Sequence, residues 1–392
     1  MNKPIIEKPE IYLDNAATTK ALEEVVKIVS RVMLVDYANP SSLHRKGMES
    51  EYYVKEARAV FAKLLKVLDK EIFFTSGGTE SDNWAIIGAA LANQRRGMHI
   101  ITSKIEHPAV LEAFEVLAQK GFQVTYLDCD KQGLISMSQL RESLTDDTIL
   151  VSMMAVNNEV GTIQPILEAG KIIKSYSKEI LFHVDAVQGF AKVPIYPKQC
   201  EIDLLSVSAH KIHGPKGVGL LYIRDRVKIH PLIVGGGQQR GYRSGTDNVS
   251  GIAGFMVAAK IAYESMQDNS KRIQEMKQYF VSELSKIEGV TLNGKLDEQG
   301  IAYIVSASFA GVKSEVLLHA LEDQGIYVSS GSACASNKPS LSGTLRAMGV
   351  DKNLLDSTIR FSFSKFTTTQ ELDITICQLQ SILSILRKYS KK

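Results

Sequence analysis

The chain has little of what marks the specialised protein classes. Among 392 residues there are four cysteines, Cys129, Cys200, Cys334 and Cys377, far apart and with no CxxC spacing. That argues against a disulfide framework and against a zinc module, and it fits a reducing cytosol. No uninterrupted apolar run approaches the ~18 residues of a membrane span. The opening MNKPIIEKPEIYLDN lacks the continuous apolar core of a signal peptide, so the expected location is cytoplasmic. Net charge is only +3, which gives no electrostatic case for a nucleic-acid or anionic-membrane partner. There is no internal repeat and no low-complexity segment.

What is present is an ordinary globular composition, 44% apolar and 23% charged, with room for two or three domains at ~150 residues each. From about residue 70 to 225, short apolar runs alternate with longer helical periods. Ile72–Thr75, His99–Thr102, Gln123–Tyr126, Ile149–Ala155, Leu181–Val184 and Leu204–Val207 read as buried strands. Ser81–Arg95, Ala109–Lys120 and Ile166–Ser177 read as the helices between them. Such repetition predicts an α/β fold, with a mostly parallel sheet covered by helices on both faces. A Gly-rich segment, GGGQQRGYRSGT, precedes one long helical pattern from about Ile252 to Ile287. The remainder reads as a smaller α+β unit with strands near Ile301–Phe309 and Ile359–Phe363, a helix near Ser314–Gln324, and a closing helix from about Thr369.

In open parallel sheets ligands sit beyond the carboxyl ends of the strands. The segments that follow the strands here are SGGTES, SKIEHPAV, VNNEVGTIQP, DAVQ and SAHK. Gly78 and Thr79 begin a helix whose free N–H groups suit a phosphate, although the Walker spacing is absent and a plain capped helix reads equally well. His107 stands before Pro108 at another helix start, where a structural role is the ordinary one. Asn158 suits a turn or a ligand amide. Asp185 at the end of an apolar strand needs a cationic partner or a capping role. With Gln188, Ser208, His210 and Lys211, these residues jointly supply a phosphate cradle, a flat partner for a ring, an acid for a pyridine nitrogen and an amine. Pyridoxal phosphate asks for that set. His210 and His213 alternatively suggest a metal pair, but no HExxH motif or carboxylate set accompanies them.

YLDNAATT (12–19), SGGTES (76–81), EHPA (106–109), NNEVGTIQP (157–165), HVDAVQ (183–188), SAHKIHGPKGVG (208–219), RGYRSGT (240–246), SSGSAC (329–334) and STIRFSFSKFT (357–367) run in order over nearly the whole chain. Together they resemble the cysteine desulfurases of the NifS/IscS type, pyridoxal-phosphate enzymes of fold type I in the class V aminotransferase group. The resemblance implies a large cofactor-binding domain over residues 16–265. Residues 1–15 and 266–392 would form a small domain carrying a catalytic cysteine loop at 329–343. It implies that Lys211 bonds the cofactor aldehyde, Asp185 pairs with the ring nitrogen, Gln188 meets the ring hydroxyl and His107 stacks on the ring. Gly78, Thr79, Ser208 and His210 would hold the phosphate, and Thr246 would reach the partner's phosphate across a homodimer interface. Asn158, at the cofactor's edge, and Arg360 would recognise the substrate, Arg360 through its carboxylate.

By the same resemblance, Cys334 is the thiol that takes sulfur from L-cysteine as a persulfide, releases alanine and passes the sulfur to acceptor proteins. Iron–sulfur scaffolds and tRNA-thiolation enzymes are the acceptor classes implied. No resident metal is implied, although transient iron–sulfur ligation by Cys334 stays open. The long run from Cys334 to Leu345 lacks the short RxGxHC arrangement of the SufS-like branch, which predicts turnover without an activator protein. A selenocysteine lyase or another class V aminotransferase would share the ring chemistry, so the Cys334 loop is what discriminates. A sulfur platform with a vestigial cofactor site is disfavoured by the presence of Lys211, Asp185, Gln188 and His107.

Overall fold

The computed structural model describes residues 10–330 and 341–389. Strand β1 (Ile11–Tyr12) opens the chain, and the helices Glu23–Leu34 and Arg45–Leu65 follow it. Seven strands then build the central sheet: β2 (Ile72–Thr75), β3 (His99–Ser103), β4 (Gln123–Leu127), β5 (Thr148–Met154), β6 (Leu181–Asp185), β7 (Leu204–Ser208) and β8 (Gly219–Ile223). Their order across the sheet is β2-β8-β7-β6-β5-β3-β4, and only β8 runs against its neighbours. Every residue of β3, β5, β6, β7 and β8 is buried, which is why these strands read as unbroken apolar runs and not as alternating ones. All six expected strands are present, within a residue or two at their ends.

The helix expected after β2 is continuous but swells into a π turn at Trp84–Gly88. The cause is an intruding loop. Trp84 Nε1 donates to the His230 carbonyl at 3.0 Å, and the His230 N–H donates to the Gly88 carbonyl. Gly88 permits the approach, since a Cβ there would lie 2.5 Å from the His230 oxygen.

One expectation is corrected. The pattern over Ile252–Ile287 is two helices, Val249–Glu264 and Met266–Ser285, broken at Ser265. The Ser265 hydroxyl donates back to the Ile261 carbonyl at 2.8 Å and accepts from Asn269, so a side chain competes with the backbone ladder at the joint. Beyond it lie β9 (Val290–Asn293), β10 (Ile304–Phe309), β11 (Ile326–Tyr327), β12 (Ser329–Ser330) and β13 (Thr358–Ser362). An antiparallel sheet of order β12-β13-β10-β9 is flanked by the helices Ser314–Glu322 and Thr369–Tyr389. β1 pairs in parallel with β11 as a separate two-stranded sheet, so the start of the described chain is stitched to a C-terminal strand. No described helix is long and apolar enough to cross a membrane.

Candidate active site

Lys211 closes a 3₁₀ turn immediately after β7 and is buried. Its Nζ donates to the carbonyls of Ala16 and Ala17 at 2.6 and 2.7 Å. Those carbonyls belong to an N-terminal strap that is itself tied to the lysine turn. The Thr19 hydroxyl donates to the His210 carbonyl at 2.8 Å and accepts from the His213 N–H at 2.7 Å. Gln188, in the segment after β6, donates through Nε2 to the same Ala16 oxygen at 2.9 Å. Its Oε1 is buried without a hydrogen-bond partner.

Asp185 ends β6, buried, and its Oδ1 accepts from the Val187 N–H at 2.9 Å. Desolvation raises its carboxyl above the usual range, while His107 and Lys211 pull it back down. His107 caps the helix Pro108–Gln119, and its Nδ1 accepts from the Ala109 N–H at 3.1 Å. In the neutral ring the proton therefore sits on Nε2.

Behind Asp185 lies a shell of buried polar groups that the sequence reading did not assign. Glu106 Oε1 accepts from the Ser103 hydroxyl at 2.6 Å and from the Met154 N–H at 3.0 Å, and burial pushes its carboxyl up to about 8. Asp82 is raised as well, by burial first and by Asp185 second. His183 is held by the Ser152 and Ser206 hydroxyls, and desolvation lowers it to about 3, so it is neutral. Burial thus favours the protonated forms of Glu106 and Asp82, whereas Asp185 has His107 and Lys211 acting in the opposite direction.

A groove at the β2 end is lined by Thr18, Gly78, Thr79, Ser208, His210 and Lys216, among others. Ser208 Oγ is buried there without a partner. Gly78 is required at its position, because a Cβ would meet the Val187 side chain at 2.8 Å. His210 accepts or donates at Thr18 Oγ1 across 3.2 Å, and burial followed by the charges of Lys211, Lys216 and Lys192 lowers it to about 4. His213 donates through Nδ1 to the Lys20 carbonyl at 2.8 Å, so the two histidines serve separate contacts. Among the described residues no group of three His, Cys, Asp or Glu side chains is placed to hold a metal.

Asn157 and Asn158 divide their roles. Asn157 is fully buried and spends its amide on the Ile105 carbonyl and on the N–H groups of Glu159 and Val160. Asn158 is partly exposed, and its backbone carbonyl accepts from Arg360 Nη1 at 2.9 Å. Arg360, buried on β13, also pairs with Asp14 through Nη2 at 2.9 Å, and its Nε is buried without a partner. Asp14, in the YLDNAATT motif, is thereby tied to the arginine of β13. The RGYRSGT segment docks through Arg243 on Glu80, at 2.8 and 3.1 Å. Thr246 is exposed and does not line the groove of its own chain.

Cys334 lies outside the described residues. Of the other thiols, burial raises Cys129 to about 11 and also raises Cys200, so neither is a ready thiolate, and Cys377 is exposed on the last helix. The amine of Lys211, the carboxyl of Asp185, and the unpartnered oxygens of Gln188 and Ser208 above a glycine-built groove fit pyridoxal phosphate, donor for acceptor.

The class V aminotransferase family profile matches residues 11–374. The chain is 44% identical to the cysteine desulfurase IscS of Dictyoglomus turgidum over 384 residues, which is 98% of this chain and 97% of that protein. It is 45% identical to the cysteine desulfurase IscS of Rickettsia bellii, across 97% and 92% of the two. Among solved structures, a NifS-like protein superposes with a TM-score of 0.91 at 41% identity, covering 96% of this chain and all of that one. A structure titled SspA in complex with cysteine superposes with a TM-score of 0.80 at 32% identity, covering 91% of this chain and 100% of that one. The chain belongs to the class V aminotransferase family, among the pyridoxal-phosphate-dependent cysteine desulfurases of the NifS/IscS type.

Proposed function

We propose that this chain removes the sulfur of L-cysteine onto Cys334 as a persulfide, leaves L-alanine, and hands the sulfur to acceptor proteins in the cytoplasm. The observation that supports this most is the meeting of Lys211, Asp185, Gln188 and Ser208 at the carboxyl ends of β6 and β7, each with a group aimed where the cofactor fits. The relative solved with cysteine bound supports the choice of substrate.

Pyridoxal phosphate, when bound, supplies an aldehyde carbon for an amine and a ring that withdraws electrons from the substrate α-carbon. Gly78, Thr79, Ser208 and His210 would hold its phosphate, with Thr246 reaching in from a second copy of the chain. Asp185 would hold a proton at the ring nitrogen, Gln188 would meet the ring hydroxyl, and His107 would cover the ring face. Arg360 would grip the substrate carboxylate and Asn158 would present its amide beside it, so that the α-proton faces Lys211. Lys211 Nζ would take that proton as general base. The Cys334 thiolate then attacks the substrate sulfur. An S–S bond forms at Cys334 and the substrate C–S bond breaks; its electron pair stays with the β-carbon, which takes up the proton of the substrate thiol to become the methyl of alanine, and Lys211 returns the α-proton. The persulfide sulfur is subsequently transferred to an acceptor's thiol.

Alanine and sulfide, measured together from L-cysteine, test this reading. Wild-type protein yields the two in step, and Cys334→Ala still changes its visible absorption with L-cysteine but transfers no sulfur. Pyruvate in place of alanine, or full sulfur release from Cys334→Ala, overturns it.

A further inference from the structure

Arg360 is held from two sides before any substrate arrives. Nη1 donates to the Asn158 carbonyl, and Nη2 donates to Asp14 Oδ1, each across 2.9 Å. Asp14 cannot drift from this contact, because its neighbours are pinned to β13, the strand that carries Arg360. The Asn15 N–H and side-chain amide both donate to the Ser362 carbonyl, and the Ala16 N–H meets the Ser362 hydroxyl at 2.8 Å. The Ser362 N–H returns a bond to the Leu13 carbonyl. With each terminal nitrogen holding one fixed acceptor, the guanidinium plane is set. Its Nε–H is left buried and unpartnered, and one N–H remains on each terminal nitrogen. Planar, directional donors of this kind match a carboxylate only while the plane stays in place.

We propose that Asp14 is a positioning residue for substrate recognition: it fixes the guanidinium plane of Arg360 so that the remaining N–H groups meet the carboxylate of an α-amino acid. The inference deepens the reading of Arg360 given above and rests on it. Asp14 does not touch the substrate. It acts through Arg360, and it also belongs to the strap whose Ala16 and Ala17 carbonyls hold Lys211. Neutralising Asp14 replaces this charge-assisted bond with a weaker one to a neutral acceptor, so the guanidinium leaves its plane more readily. Affinity for ligands with a carboxylate falls, while affinity for ligands that lack one does not.

The test uses holoenzyme and two ligands, L-cysteine and cysteamine, the same thiol amine without the carboxylate. Binding is read from the change in visible absorption, in wild type, Asp14→Asn, Asp14→Glu and Arg360→Lys. Asp14→Asn is expected to weaken L-cysteine about tenfold and leave cysteamine within about twofold, the size of one charge-assisted hydrogen bond. Asp14→Glu recovers part of the loss. An equal loss for both ligands overturns the proposal, since general loosening of the strap does not discriminate between them. No loss for either overturns it too. If Arg360→Lys fails to separate the two ligands, the reading of Arg360 itself is wrong, and that outcome is distinct from failure at Asp14 alone.

Discussion

At the scale of single residues, the carboxyls beneath the cofactor site make a pH prediction. Glu106 is buried, and its folded carboxyl titrates at about 8, above the ordinary carboxylate value of about 4.3. The folded chain therefore binds a proton that the unfolded chain releases between those two values. Stability from this group is present below about pH 4.3 and is lost as pH rises through about 8. Asp82, raised for the same reason, adds to the decline from its acidic end. Glu106→Gln keeps the shape and can donate as the protonated acid does. It should flatten the fall in melting temperature between pH 5 and 8. Melting curves across that range check this, and an unchanged slope in the variant would show that Glu106 is ionised in the folded protein.

At the scale of elements, the strap from Asp14 to Thr19 holds the lysine turn. Thr19→Val removes one donor to the His210 carbonyl and leaves the His213 N–H without its acceptor. The expected loss is about 1–3 kcal/mol, and Thr19→Ser should recover most of it. Denaturant unfolding of the three proteins measures this, and equal stability of wild type and Thr19→Val would remove the strap from the account. This element also marks the limit of what the sequence discloses. The β strands were legible because both their faces are buried, which leaves an unmistakable apolar run between turn residues. Lys211, Asp185 and His107 could be singled out as candidates because each ends such a run or follows it within four residues. The strap was legible only as a motif. Its partners at His210 and Ser362 lie some hundreds of residues away, and no local periodicity encodes a contact across that distance. The break at Ser265 was hidden for a different reason, since the helical pattern continues on both sides of it. The raised carboxyl of Glu106 depends chiefly on burial, with Asp185 adding to it, and sequence spacing reports neither.

For the whole molecule, one chain does not hold every group that its cofactor site is expected to use. Thr246 is exposed on its own chain, as are Leu43 at 97% and Val234 at 78%. In the proposed homodimer a second chain would cover such apolar side chains. A two-fold dimer would bury them and carry Thr246 to the partner's phosphate groove, making each site depend on both chains. That arrangement predicts complementation between two defective proteins. Lys211→Ala has no amine in its own site, and Thr246→Asp brings a negative charge to its partner's phosphate. In a mixed dimer, the site built on the Thr246→Asp chain keeps Lys211 and receives an intact Thr246 from the other chain. The remaining site carries both defects. After subunit exchange at equal amounts, half the dimers are mixed, each with one working site in two, so activity should recover to about a quarter of wild type. Mass measurement of the mixture establishes that mixed dimers have formed. If they form and sulfur release does not recover, Thr246 does not serve the partner's site.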